Sequence, residues 1–272
     1  MLNCVTDKII PRVGAGDLYQ LQVMATALDD LVKSKPFANG LAIIIGNEFS
    51  CKPEHQPLSG TIRDLEAARD AFESMKFTTI PIRNASAREI IDIVQAASLY
   101  TYPSCYRRLA FVFSGHGDAT YIYAHDSPVH LQTCVFDPWM PKETPTLAHM
   151  PKLFFLDACR GDAVDQGIFT PSGPVPKGAG RVPSVGNYLL ANSTLPTMKA
   201  FEKRFAGGYW MQHLARELQL DRNIDQSLTD ILVRVNHLVV TEMQNYENIQ
   251  QPVYESTLCE NIYPIREARY AG

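Results

Sequence analysis

Three short runs, Leu41 to Ile45, Leu109 to Phe113 and Leu153 to Leu156, are apolar at every position. A strand with no polar alternation is buried on both faces, which is the habit of central strands in a largely parallel sheet. None approaches the roughly 20 apolar residues that a membrane-spanning helix needs. Segments of helical period separate and follow them. Ile62 to Met75 is one, and Ser86 with Glu89 forms a capping box ahead of Ile90, Ile91, Val94 and Ala97. Trp210, Met211, Leu214 and Leu218 share a face, as do Leu228, Ile231, Leu232, Val235 and Val239. The alternation predicts an α/β fold, a mostly parallel central sheet with helices on both faces. Tyr188 to Asn192 and Leu258 to Tyr263 are expected to add strands.

With 272 residues, 46% of them hydrophobic, one catalytic-sized core suffices. Residues 1–37 read as a lead-in segment with a helix over Asp17 to Lys33, residues 38–160 as the larger part, and residues 187–272 as the smaller. The connection over 161–186 contains four prolines and six glycines and few apolar residues, so it is expected to be exposed. The first residues lack the basic start, apolar stretch and small-residue site of a leader, and a cytoplasmic location is the default expectation. A net charge of −4 gives no attraction for nucleic acid or anionic membrane. Six scattered cysteines (Cys4, Cys51, Cys105, Cys134, Cys159, Cys259) contain no C-x-x-C pair, which argues against a disulfide framework or a zinc site. No metal or other cofactor is called for. Calcium activation stays open, since surface carboxylates can hold calcium weakly.

Two of the strands run into chemically suggestive turns. Phe111 to Ser114 leads into Gly115-His116-Gly117, and Leu153 to Asp157 leads into Ala158-Cys159-Arg160-Gly161. Loops at the C-terminal ends of parallel strands are where open α/β sheets place their sites. On neighbouring strands, the His116 imidazole and the Cys159 thiol would lie side by side. A thiol is mostly protonated at neutral pH, so a nearby imidazole raises its thiolate fraction and can later protonate a leaving amine. The glycines allow main-chain N–H groups of Gly117 and Cys159 to reach a developing oxyanion.

Together these turns resemble those of the caspase-like cysteine peptidases, in which a histidine about 50 residues upstream partners the cysteine. The resemblance extends from about Leu41 to Ile265. It includes Leu41-Ala42-Ile43-Ile44-Ile45-Gly46-Asn47, Ser59-Gly60-Thr61-Ile62-Arg63-Asp64, Lys152 to Gly161, Ser193-Thr194-Leu195-Pro196, Gly208 to Leu214, Arg234-Val235-Asn236 and Cys259-Glu260-Asn261-Ile262-Tyr263. It implies a three-layer sandwich, protein or peptide substrates, a large (p20-like) and a small (p10-like) subunit, and a homodimer formed through the last strand.

Caspases that cut after Asp carry a glutamine two residues before the nucleophile and two arginines in the specificity pocket. At the corresponding positions this chain has Asp157, Leu58 and Glu202. With Asp64, these carboxylates resemble the pockets of paracaspases and metacaspases, which cut after Arg or Lys. The planar fork of a guanidinium makes paired hydrogen bonds to carboxylates, so Arg is expected over Lys. Lys177 and Arg181 lie in the Pro- and Gly-rich connection and are the expected self-cleavage positions. Two other readings remain at this stage: an Asp-cutting caspase with an atypical pocket, and a catalytically silent signalling scaffold. Solvated surface positions for Asp64 and Glu202 are also open.

Overall fold

The computed structural model describes residues 26–28, 30, 38–49, 55–100, 106–161 and 185–270. Its centre is a six-stranded sheet in the order β10-β7-β6-β3-β1-β2. Here β1 is Gly40–Gly46, β2 Phe77–Arg83, β3 Leu109–Ser114, β6 Lys152–Asp157, β7 Tyr188–Asn192 and β10 Val253–Ser256. All neighbours pair in parallel except β10, which runs antiparallel to β7. A hairpin of β4 (Tyr121–Tyr123) and β5 (Pro128–His130) follows the Gly-His-Gly turn, and a second small pairing joins β8 (Glu202–Lys203) to β9 (Gly207–Gly208).

The apolar strands sort their side chains into two cores. Leu41, Ile43, Ile45, Phe111, Phe113, Phe154 and Leu156 face α2 (Ala87–Tyr100), whose Ile90, Ile93, Val94 and Ala97 are buried against them. Their alternates Ala42, Ile44, Ala110, Val112, Leu153 and Phe155 face α1 (Thr61–Ser74), α3 (Tyr209–Glu217) and α4 (Leu228–Met243). Runs without polar alternation are thus explained by helices on both sides. Capping boxes start α2 and α4: the Ser86 and Glu89 side chains exchange bonds with each other's main-chain N–H groups, and Ser227 and Asp230 do the same.

Two expectations change. Leu258 to Tyr263 is not a strand. The position beside β7 is taken by β10, while the closing segment turns, with the Cys259 N–H donating to Asn187 Oδ1 at 3.4 Å and the Ile262 carbonyl accepting from Leu228 N–H at 2.7 Å at the start of α4. Ile262 plugs the core, and the chain ends in α5 (Pro264–Tyr270). The last strand of the sheet, at the edge beside β7, is therefore β10 and not Cys259 to Tyr263. Strand β2 was not expected, because Thr78, Thr79 and Pro81 interrupt its apolar character. It lies at the sheet edge, where a proline without an N–H is tolerated. Of the expected lead-in helix, only Thr26 to Leu28 and Asp30 are described, as helix. Lys177 and Arg181 lie outside the described residues.

Candidate active site

Strands β3 and β6 are adjacent, parallel and in register, with Ser114 opposite Asp157. His116 and Cys159 each follow two residues later, so the topology delivers the imidazole and the thiol to the same end of the sheet. The two turns press together. The Gly115 N–H donates to the Asp157 carbonyl at 3.1 Å, and a Cβ placed on Gly117 would stand 3.0 Å from Ala158 Cβ and 3.4 Å from the Cys159 carbonyl oxygen. Gly117 bridges to Ile122 through hydrogen bonds made by its neighbours, His116 O accepting from Tyr123 N–H and Asp118 N–H donating to Tyr121 O, so the bridge does not engage the Gly117 N–H.

His116 and Cys159 line one cleft of about 720 Å³, together with Asp64, Ser114, Gly117, Asp157, Glu202 and Gly208. The imidazole is fixed by neighbours that the sequence did not single out. Its Nε2 lies 2.7 Å from the Gln56 carbonyl oxygen. A carbonyl only accepts, so Nε2 carries the proton and the neutral ring offers its lone pair at Nδ1. The Phe49 ring is buried beside it at 4.9 Å between centroids, and the His55 ring lies at 5.5 Å. Burial lowers the His116 pKa below its ordinary 6.5, outweighing the opposing bond to Gln56. Gln56 acts through its main chain and so leaves no side-chain signal to read. The Cys159 Sγ points toward the Ala200 carbonyl oxygen at 3.7 Å.

The three carboxylates line the same cleft, and the surface alternative for Asp64 is overturned. Asp64, on α1, is 2% exposed. It accepts from the Gly208 N–H at 2.9 Å, from Gln212 Nε2 at 2.8 Å and from Ser114 Oγ at 3.0 Å. Burial, reinforced by the neighbouring charge of Asp157, pushes its carboxyl up to about 8. Asp157, at the end of β6, is pushed up to about 6 by burial, with Glu202 adding to the effect. Glu202 on β8 is half-buried and accepts from the Gly60 N–H at 3.1 Å; burial raises it too. Gly207 and Gly208 make the approach possible. Cβ atoms there would stand 2.3 Å from Asp64 Oδ1 and 2.2 Å from Asp157 Oδ2, and Gly207 also adopts a φ of +100°, a left-handed conformation that glycine tolerates.

Among the described residues, no group of three or more His, Cys, Asp or Glu side chains could hold a metal ion, and no helix is long and apolar enough to cross a membrane.

The sequence model of the caspase domain matches residues 39–263. Among characterised proteins, the chain is 30% identical over 213 residues to caspase-1 of Drosophila melanogaster, covering 76% of this chain and 64% of that protein. It is 28% identical over 244 residues to caspase-7 of Gallus gallus, covering 82% and 76%. It is 30% identical over 213 residues to caspase-3 of Mus musculus, covering 76% and 74%. The crystal structure of caspase-1 from Spodoptera frugiperda superposes with a TM-score of 0.74 over 85% of this chain and 91% of that one, at 24% identity, which shows a common fold.

Proposed function

Because the chain belongs to the caspase domain family of cysteine-type endopeptidases, we propose that it cleaves peptide bonds after basic residues, with Cys159 as nucleophile and His116 as its acid–base partner. The observation that carries this reading is that a neutral imidazole, a thiol and three converging carboxyl groups line the same cleft.

In this mechanism His116 Nδ1 takes the thiol proton and the Cys159 sulfur bonds to the scissile carbonyl carbon. The carbonyl π pair moves onto oxygen, where the Gly117 and Cys159 N–H groups receive it. Collapse restores the carbonyl, breaks the C–N bond and hands the His116 proton to the departing amine. A thioester remains. Water, deprotonated by the same imidazole, then cleaves the C–S bond and returns the free thiol.

Asp157, Asp64 and Glu202 form the pocket for the side chain preceding the cut. Burial raises all three carboxyls, and a cationic side chain entering beside them would stabilise their ionised forms. Arg is preferred over Lys because a planar fork can engage two carboxylates at once. An aspartate there would meet like charge. The chain is similar to caspase-3, caspase-7 and insect caspase-1, and on this reading Leu58, Glu202 and Asp157 stand where an Asp-binding pocket has its arginines and glutamine.

The test is hydrolysis of short peptides with Arg, Lys or Asp before the cut by wild type, Cys159→Ala and His116→Ala. Loss of about 10³-fold or more in both variants, with Arg cut faster than Lys and Asp uncut, supports the reading. Cleavage of the Asp peptide alone refutes the pocket assignment, and full activity of Cys159→Ala refutes the nucleophile.

A further inference from the structure

Asp157 is 6% exposed, and its Oδ2 is buried without a hydrogen-bond partner. That oxygen lies against the Cα of Gly208 on the wall of the cleft, where even a methyl group would collide with it. The neighbouring Asp64 accepts from the Gly208 N–H, Gln212 Nε2 and Ser114 Oγ. The two carboxyl groups repel one another across Gly208. The Ser193 hydroxyl and the Met211 N–H favour the ionised form of the Asp157 carboxyl, but burial outweighs them, so full negative charge there is costly.

The groups facing this pair are few. Helix α1 presents Asp64, β3 presents Ser114, the residue after β7 presents the Ser193 hydroxyl, β8 presents Glu202, and α3 presents Gln212 and the Met211 main-chain N–H. Lys203, beside Glu202, is turned to Glu242 and lies over the Tyr209 ring. Lys199 and His116 line the same cleft, but neither is among the charges that act on the pair.

Resting on the basic-pocket reading above, we infer that the empty pocket holds one proton on the Asp64–Asp157 pair and releases it when the cationic side chain of a substrate enters. The proton passes to bulk solvent, the guanidinium or ammonium group takes its place as the neutralising charge, and the net charge of the pocket is the same before and after. The proton belongs to the pair rather than to one residue, as expected of two interacting carboxyls. Basic side chains would then bind more tightly as pH rises, about tenfold per pH unit, until the pair releases its proton unaided.

The experiment titrates Cys159→Ala protein at pH 7 with an uncleaved peptide carrying Arg before the scissile bond. Calorimetry is run in two buffers of different ionisation enthalpy. The expected result is release of about one proton per peptide bound, falling toward zero in Cys159→Ala/Asp64→Asn protein that still binds the peptide. Tight binding of the Arg peptide with no proton exchange overturns the inference and leaves the basic pocket standing. Binding of an Asp peptide in place of the Arg peptide overturns both. A full proton released by the Asp64→Asn protein also overturns the inference, because a single ordinary carboxyl would then account for it.

Discussion

Ser114 and Asp157 face each other at the last register position of β3 and β6, and each lies two residues before a reactive side chain, His116 and Cys159. The pairing of two parallel strands thereby sets where the imidazole and thiol emerge. The same two residues also serve the pocket, Ser114 by donating to Asp64 and Asp157 by lining the acidic end. The strand pair thus positions the imidazole and the thiol together with one wall of the acidic cleft.

Phe49 packs its buried ring against the His116 imidazole. It is 1% exposed, and its ring lies 4.9 Å from those of both His55 and His116. Phe49→Ala is predicted to destabilise the protein by about 3 kcal/mol and to lower kcat by about tenfold through loss of ring positioning. Phe49→Leu should recover most of the stability. Thermal denaturation and steady-state kinetics check this, and an unchanged kcat in the alanine variant would show that the ring position does not depend on Phe49.

Burial lowers the His116 pKa below 6.5, so the base is neutral at pH 7 and is lost only as pH falls further. The acid limb of kcat at saturating substrate is therefore predicted to lie below pH 6.5. KM for Arg peptides should rise over the same descent for a separate reason, protonation of the pocket. Measuring kcat and KM independently from pH 5 to 8 separates the two. A kcat limb above pH 6.5 would contradict the assigned environment.

The raised carboxyls have a sign-definite effect on stability. A carboxyl whose native pKa lies above its unfolded value favours the folded state fully below the unfolded pKa, and that contribution disappears as pH rises through the native one. With Asp157 near 6 and Asp64 near 8, the pair's contribution is lost between about pH 4 and 8. Asp157→Asn is predicted to raise stability at pH 8 by up to about 3 kcal/mol and to flatten its pH dependence across this window. Denaturation at pH 5 and pH 8 measures it, and a variant less stable than wild type at pH 8 would be the opposite result.

Much of this arrangement was legible in the chain. Continuous apolar runs announced β1, β3 and β6 because both faces of the sheet are covered, and the turns after two of them bring His116 and Cys159 to one cleft. Ser86 with Glu89 marked the start of α2 by the same hydrogen bonds seen in the fold. What escaped was structure fixed by its neighbours. Strand β2 reads as mixed because an edge tolerates Pro81, and β10 is only Val-Tyr-Glu-Ser, a strand because β7 offers it an edge. Leu258 to Tyr263 looked like a strand, but its apolar residues are plugs: Ile262 is buried in the core and Leu258 packs against it. Gln56 works through a carbonyl that every residue possesses, so no sequence pattern could mark it.

The connection between β6 and β7 carries Lys177 and Arg181 among prolines and glycines. If the pocket accepts basic side chains, purified wild type should cut itself after Arg181 or Lys177, and Cys159→Ala should stay whole. Mass spectrometry of both proteins after prolonged incubation is the check. A wild-type chain that stays intact would rule out self-processing there.

A peptide library varied at the residue before the cut, assayed with wild type and Cys159→Ala, reaches furthest into the account. The acidic cleft beside Cys159 and His116 predicts that wild type cleaves after Arg most rapidly, then Lys, and that Cys159→Ala cleaves nothing. Cleavage after Asp with Arg and Lys untouched, or turnover surviving in Cys159→Ala, would contradict it.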